Sequence, residues 1–454
     1  MSTLPPATAT VHVLGKEHEL RMEVSAKGGT FLRLKSGTAE IFGVELAPER
    51  TLALSSSRKL ALFTWSGCEV YVWGGEPSVY VSRESQVPLY ANLHQQLDSR
   101  REAAAGREGA QGPRVMVVGP TDSGKSTLCH ILLSYACRVG RHPTFVDLDL
   151  GQGEISVPGT VAAVPLDKLC LSPEVGYMGS TPLSYFVGEV SPGNCSQVYR
   201  NATERLAELV HRRQTSGGEV GERARVGGLI INTFGWVDGL GYELLLHAAK
   251  AFAVDVVVVM GHDRVFAQMS EDLKTVGGAA SGGGGGGSSS SSSSSSAGGA
   301  LPTALIKLNQ SGGVVRREKD FRRDARGLRV RQYFYGADPT AQLTPETITV
   351  RFEDVVIVRV GGAAGDSTLI PIGKSSAMDP LRLKVETPNE RLLNQVLAVS
   401  FATSDKQIPH VNVAGFVHVR AVDVKEKRLT LLAPCAGALP SKFLIAGALT
   451  WLDV

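Results

Sequence analysis

The sequence predicts an α/β protein in which a central domain with a mostly parallel sheet lies between an N-terminal β-sandwich-like domain and a C-terminal β-rich domain. Three observations predict it: period-two alternation from Val11 to Arg83, a strand–loop–helix–strand unit starting at Val115, and a return of alternation from Ile348 onward. Boundaries are expected near these changes of period, giving 1–100, 101–340 and 341–454. A chain of 454 residues with 43% hydrophobic positions is long enough for several cores. Its 47 Lys+Arg against 44 Asp+Glu give a formal charge of +3, which excludes a wholly disordered chain and a nucleic-acid binder acting through bulk charge. Any basic site must be local.

In the first region the alternating stretches are ELRMEV at 19–24, TFLRLK at 30–35, KLALFTW at 59–65, EVYVWG at 69–74 and SVYVS at 78–82, separated by Gly, Ser and Pro. A polar, helix-permissive stretch, Ala91 to Gly109, leads away from them. Then the period changes. An apolar strand at Val115 to Val118, a glycine-containing loop, a helix at Ser126 to Val139 and a strand at Thr144 to Leu150 are followed by strand candidates at Gly228 to Thr233 and Val254 to Met260. Helical patterns at Ser196 to Arg213 and Tyr242 to Phe252 separate them, the order of a doubly wound domain. The segment Gly277 to Ala300 holds only Gly, Ser and Ala and is expected to be a disordered insertion in a surface loop. The closing region reads ITVRFEDVVIVRV, VAGFVHVRAVDV, RLTLLAP and KFLIAGALTWL, with no internal repeat.

The longest apolar candidate, Val254 to Met260, is interrupted by Asp255 and followed by Gly261, far short of the ~20 residues of a membrane span, so no membrane association is expected. The opening MSTLPPATATVHV has neither a basic n-region nor a continuous apolar stretch, so no secretory signal is read and an intracellular protein is expected. Six cysteines without a CxxC pair fit reduced thiols, with neither a zinc site nor a structural disulfide.

The strongest motif is Gly119-Pro-Thr-Asp-Ser-Gly-Lys-Ser126, a full GxxxxGK[ST] match between a strand and a helix. Glycines let the backbone wrap so that its amides face phosphate, and the helix start adds its positive dipole end. This makes the central region a P-loop NTPase domain that binds a nucleoside triphosphate, with Lys125 on the phosphates and Ser126 on Mg²⁺. The next strand ends in Asp147-Leu-Asp-Leu-Gly-Gln-Gly153. Alternation puts Asp147 and Asp149 on one side, Asp149 nearer the mouth, where it would deprotonate a hydroxyl or hold a magnesium-bound water. A strand-end acid that merely caps a turn is the alternative. Gly151 stands where a motor ATPase usually carries a second acid, which points to a kinase.

Between Arg316 and Arg331, seven Arg and one Lys against three acids give a local charge of +5. Arg322 and Arg326 share a helix face, with Arg317 about a turn upstream, an arrangement suited to a lid over transferring phosphate. A solvated basic helix or a localisation signal is the alternative; the position after the last strand expected for the nucleotide domain favours a lid. In Asn232-Thr-Phe-Gly-Trp236, Thr233 and Trp236 should emerge at the same sheet edge. A Trp there would stack a single-stranded base, worth roughly 1–3 kcal/mol, unless it is a core residue.

With these pieces in order, the chain resembles the polynucleotide 5′-hydroxyl kinase family, in the branch that serves as a subunit of the pre-mRNA 3′-end cleavage factor. The likeness rests on AEIFGVEL, FTWSGCEV, PRVMVVGPTDSGKSTLC, PTFVDLDLGQG, VPGT, MGSTPL, SPGN, INTFGW, AFAVDVVVV, SGGVVRREKDFRR, RQYFYG and VAGFVHV, spread over nearly the whole chain. It implies the three-part fold above, with ATP and Mg²⁺ as cofactors. It implies Asp122, Ser123, Gly124, Lys125, Ser126 and Thr127 as the phosphate loop, Asp149 as the acid that activates the RNA 5′-hydroxyl, and Ser126 and Asp149 at the metal. Arg317, Arg322 and Arg326 match the lid arginines, Thr233 and Trp236 the clasp on the RNA end, and Glu19 and Lys59 the residues at the nucleotide's base end. The SPGN residues, Ser191 to Asn194, would face the RNA backbone. The resemblance further implies a nuclear protein whose partners are RNA with a 5′-hydroxyl end, other cleavage-factor subunits and the tRNA-splicing endonuclease. Some family members bind ATP yet act only as scaffolds; retention of DLDLGQG, the lysine and the lid arginines favours an active enzyme. A small-molecule kinase would not need two flanking β domains. The Gly/Ser tract is expected between the last sheet strand and the lid, where long insertions cost little.

Overall fold

Short alternating segments bury one face per strand, and two such sheets must close on each other. The computed structural model describes residues 4–24, 29–54, 59–166, 171–172, 176–177, 182–279, 304–336, 342–361 and 379–452. In the N-terminal region the strands are β1 (Thr10–Leu14), β2 (Glu19–Glu23), β3 (Thr30–Gly37), β4 (Glu40–Ile41), β5 (Val44–Glu45), β6 (Thr51–Leu54), β7 (Lys59–Phe63), β8 (Cys68–Trp73) and β9 (Ser78–Ser82). They form a four-stranded sheet, β1-β8-β3-β6, and a five-stranded sheet, β5-β4-β7-β2-β9. Leu20, Met22, Leu32, Leu62, Val70 and Val72 from both sheets fill the space between them, while Arg21, Glu23 and Lys59 stand on the other side of their strands, as period two requires. The chain leaves through α1 (Val87–Ala105), which starts earlier than the polar stretch suggested because Pro88 fits its first turn. Val87, Tyr90, Leu93 and Leu97 of this helix join the core under the nucleotide domain's first helix.

The central sheet is built from β10 (Arg114–Val118), β11 (Thr144–Asp147), β12 (Thr160–Pro165), β15 (Leu183–Phe186), β16 (Leu229–Asn232), β17 (Val256–Met260) and β18 (Ala304–Leu308), in the order β15-β12-β11-β16-β10-β17-β18. A separate ladder pairs β13 (Leu171–Ser172) with β14 (Gly176–Tyr177). The five strands from β11 to β18 are parallel, and β12 and β15 add an antiparallel edge. The helices are α2 (Lys125–Arg138), α3 (Ser196–Thr215), α4 (Gly218–Gly227), α5 (Leu240–Ala251), α6 (Asp263–Ala279) and α7 (Lys319–Tyr335). With β10 central and β16 and β17 on either side, the carboxyl ends of the strands open at one edge, where ligands bind in doubly wound sheets.

Two expectations change. The strand expected to run to Leu150 ends at Asp147, because the Asp149 carboxylate that follows accepts the Gly151 and Gln152 amides and turns the chain. And β18 lies between the Gly/Ser tract and α7, so the tract falls before the last sheet strand and not between that strand and the lid. The ALIKL of β18, with a lysine at one position and only Leu308 buried, carries too weak a pattern to be read as a sheet strand. The tract's first three residues, 277–279, continue α6 instead of starting a loop, and the rest of it, 280–300, lies outside the described residues, as do 178–181 of MGSTPL and Cys170. The other five cysteines are free thiols.

The C-terminal region forms one seven-stranded sheet from β19 (Glu346–Arg351), β20 (Val356–Val360), β21 (Leu383–Glu386), β22 (Val396–Ser400), β23 (Val413–Asp423), β24 (Arg428–Ala433) and β25 (Phe443–Ile445), in the order β19-β24-β23-β22-β25-β20-β21. One face buries Val330 and Phe334 of α7 together with Phe186 of β15, against Phe416 and Trp451. Among the described residues no helix is long and apolar enough to cross a membrane.

Candidate active site

The phosphate loop is shaped by backbone conformations that its residues permit. Gly124 has φ 92° and Asp122 φ 58°, both left-handed. A Cβ on Gly119 would sit 2.6 Å from the Met260 carbonyl oxygen. The first turn of α2 carries no side-chain cap, which leaves its amides for an anion. Ser123 is buried, and its Oγ has no hydrogen-bond partner among the described residues. The Lys125 Nζ donates to the Pro120 carbonyl at 2.8 Å. Burial holds its pKa below the ordinary lysine value, with Asp149 opposing.

The two strand-end acids separate. Asp147 is buried and accepts from Asn232 Nδ2 at 3.1 Å, from the Asp149 amide at 3.1 Å and from the Glu154 amide at 2.7 Å. Burial, then the neighbouring Asp149, pushes its carboxyl up to about 7. Asp149 lines the cavity, and its Oδ1 accepts both turn amides, Gly151 at 2.9 Å and Gln152 at 3.1 Å. Its Oδ2 has no hydrogen-bond partner among the described residues. Burial raises its pKa while Lys125 and the two amides lower it. Alternation was expected to bring both acids to one side; because the strand stops at Asp147, only Asp149 reaches the cavity wall.

From the other side comes the arginine-rich segment. Arg317 stands before α7, not on its first turn, since the helix begins after the extended Glu318. The Arg317 amide donates to Asp122 Oδ2 at 3.0 Å, and its Nη1 to Gln152 Oε1 at 3.3 Å. Arg322 Nη2 donates to the same Asp122 oxygen at 2.7 Å. Arg326 also lines the cavity, its pKa lowered by burial, then by Arg322 and Arg323.

Trp236 is 40% exposed at the cavity mouth. Its ring lies over Gly193 and Gly241, where a Cβ would fall 3.4 Å and 2.7 Å from ring atoms. Ser191 and Pro192 stand beside it on the wall. Thr233 is elsewhere: wholly buried, it donates to the Val117 carbonyl at 2.7 Å and is absent from the wall. At the far end the N-terminal sheet supplies Glu19 and Lys59. Glu19 is held by Arg21 Nε at 2.8 Å and by Ser85 Oγ at 2.5 Å, and Lys59 pairs with Glu23 at 3.1 Å.

A single cavity of about 470 Å³ joins these pieces, from Glu19 and Lys59 across residues 121–127 and Asp149 to Trp236, Arg317, Arg322 and Arg326. Sequence reasoning missed Arg21, Tyr80 and Gln152, which also line it. Gln152 sits inside the quoted DLDLGQG, and Arg21 alternates with Met22 on a strand whose inward face was legible, so the pattern held a signal for both. Asn232 opens the quoted Asn232–Trp236 stretch and was passed over as a strand end.

Comparison with known proteins covers most of the chain. The N-terminal beta-sandwich domain of polyadenylation factor matches residues 13–104, the P-loop of mRNA cleavage and polyadenylation factor CLP1 residues 119–280, and pre-mRNA cleavage complex II protein Clp1 residues 343–453. The chain is 40% identical over 447 residues to the Protein CLP1 homolog of Arabidopsis thaliana, covering 97% of this chain and 94% of that one. It is 39% identical over 442 residues to the polyribonucleotide 5′-hydroxyl-kinase Clp1 of Gallus gallus and of Homo sapiens, covering 97% of this chain and 96% of each. In fold it is similar to a solved Clp1p–Pcf11p complex, with TM-score 0.82 and 21% identity over 99% of this chain and 100% of that one. A second structure, describing an extended interface between Pcf11p and Clp1p, gives 0.80 and 22% over the same shares.

Proposed function

Because the chain belongs to the Clp1 family of mRNA cleavage and polyadenylation factors, we propose that it transfers the γ phosphate of ATP to the 5′-hydroxyl of RNA and does so as a subunit of the pre-mRNA cleavage machinery. The observation that carries this reading is the cavity in which a phosphate loop, the free Asp149 Oδ2, the arginines Arg317, Arg322 and Arg326, and the exposed Trp236 converge. The unpartnered Ser123 Oγ, the uncapped α2 start and the free Asp149 Oδ2 fit a triphosphate with its Mg²⁺. Ser126 and Asp149 would hold the metal, whose part is to neutralise phosphate charge.

In the proposed reaction the RNA O5′ bonds to the γ phosphorus, the bond from that phosphorus to the β–γ bridging oxygen breaks, and ADP leaves. Asp149 Oδ2 takes the hydroxyl proton. Lys125 and the lid arginines oppose charge on the transferring oxygens, and their partly dry surroundings strengthen that effect. Glu19 and Lys59 would meet the base end of ATP, and Trp236, backed by Ser191 and Pro192, would stack the terminal base of the RNA. Thr233 would serve this clasp from below, tying the turn to β10. RNA, other cleavage-factor subunits and the tRNA-splicing endonuclease are the proposed partners, the nucleus the proposed location, and breaks near residues 100 and 340 the proposed domain boundaries.

The test is transfer of labelled γ phosphate to a short 5′-hydroxyl RNA. The unmodified protein should turn over. Asp149→Asn should slow transfer by about 10²-fold or more and Arg322→Ala by a similar factor, both with ATP binding kept. Tight ATP binding without transfer would refute the enzyme and leave an ATP-bound scaffold.

A further inference from the structure

The lid and the phosphate loop meet at one residue. Asp122 Oδ2 accepts from both the Arg317 amide and Arg322 Nη2, while the Asp122 carbonyl accepts from Gln310 Nε2 at 3.1 Å. Three donors from a thirteen-residue span of the lid segment thus converge on one loop position. That position is costly in two ways. A non-glycine residue holds φ 58° there, and a carboxylate only 9% exposed stands in a loop built to receive phosphate, which it repels unless a cation neutralises it. Arg322 supplies that cation. Once its Nη2 is committed to Asp122, its Nε remains buried and without a partner, a donor still to be satisfied.

We propose that Asp122 is a positioning residue: its carboxylate latches the lid onto the phosphate loop and turns the Arg322 guanidinium so that its remaining donors meet the transferring phosphate. The catalytic half of this inference rests on the kinase reading above; the latch itself does not. Asp122 acts through Arg322 and through the Arg317 backbone, and takes no proton. Its backbone belongs to the phosphate loop, so a purely structural role would show first as lost ATP binding.

Two variants of the full-length protein separate the roles. Asp122→Gly removes the carboxylate and relaxes the left-handed backbone, while Asp122→Asn keeps that conformation and one acceptor oxygen but no charge. Without nucleotide, amide hydrogen exchange across residues 314–322 should quicken about tenfold in Asp122→Gly and by less in Asp122→Asn, with the phosphate loop still protected when ATP is added. In the transfer assay Asp122→Gly should lower kcat about tenfold with KM for ATP within about twofold, and should cost nothing further in an Arg322→Ala background. Unchanged exchange in Asp122→Gly, lost ATP binding, or a full additional loss beside Arg322→Ala would each overturn the proposal. Should the unmodified protein fail to transfer phosphate, the kinase reading fails, and exchange alone decides the latch.

Discussion

Asp147 and Asp149 stand two positions apart, yet one is wrapped by three donors under the sheet edge and the other faces the cavity. The difference has a consequence for stability against pH. Burial pushes the folded Asp147 carboxyl up to about 7 from its ordinary value of 3.8, so between those limits the folded chain binds more protons than the unfolded one. Stability from this group is therefore fully present near pH 4 and lost as pH rises through about 7. In Asp147→Asn nothing titrates at that position. The stability of the wild type relative to Asp147→Asn should decline from pH 4 to pH 8 by on the order of a few kcal/mol, read from urea midpoints at each pH. A difference that stays constant over that range would rule the assignment out.

At the level of elements, the loops that build the site are set by close approach. Gly235 presses on the phosphate loop: a Cβ there would lie 2.4 Å from Thr121 Oγ1, 2.5 Å from its amide nitrogen and 2.6 Å from its Cα. Backbone cannot yield as a flexible side chain would. Gly235→Ala should cost about 1–3 kcal/mol and weaken ATP binding by displacing residues 121–124, checked by thermal unfolding and nucleotide titration. Unchanged ATP affinity would show that the loop tolerates the shift. This contact also marks the limit of what could be read from the chain. GxxxxGK[ST] and INTFGW were each legible, because phosphate geometry and strand ends impose local residue choices. That Gly235 must be glycine was not, since the reason sits over a hundred positions away in Thr121. The same limit explains the missed β12–β15 edge. The apolar TVAAVP of β12, buried at nearly every position, carries no alternation to reveal it, and its place is fixed by pairing with β11. The arginines in and before α7 were legible as charge, but the start of the helix was not; basic residues stand on both sides of Glu318, Arg316 and Arg317 before it and Lys319 after, and its side chain makes no cap, so nothing local marks the turn where Arg317 is left outside the helix.

Across the whole molecule, α7 connects two places that no local pattern joins. Its front carries Arg322 and Arg326 to the cavity, and its rear is sunk in the C-terminal core. There Phe334 stacks on Trp451, with ring centroids 5.7 Å apart and planes 9° from parallel, and Tyr333 Oη accepts from the Phe416 amide at 2.9 Å. A helix is stiff over this length, so the rear anchorage limits where the arginines stand. The C-terminal sheet would thereby set the lid without touching ATP. Trp451→Ala should destabilise the protein by about 3–5 kcal/mol, because the tryptophan is 7% exposed and leaves a cavity that neighbours only partly fill. Trp451→Phe, which keeps a ring to stack on Phe334, should lose about half as much or less. The phosphate loop draws its packing from a different cluster, around Leu128, Ile131 and Met260. Where Trp451→Ala remains folded, then, ATP should still bind while residues 319–335 exchange faster and phosphate transfer slows, and Trp451→Phe should recover most of both. If transfer stays at the wild-type rate although the rear of α7 has loosened, the arginines are held by Asp122 alone, and the C-terminal sheet has no part in placing them.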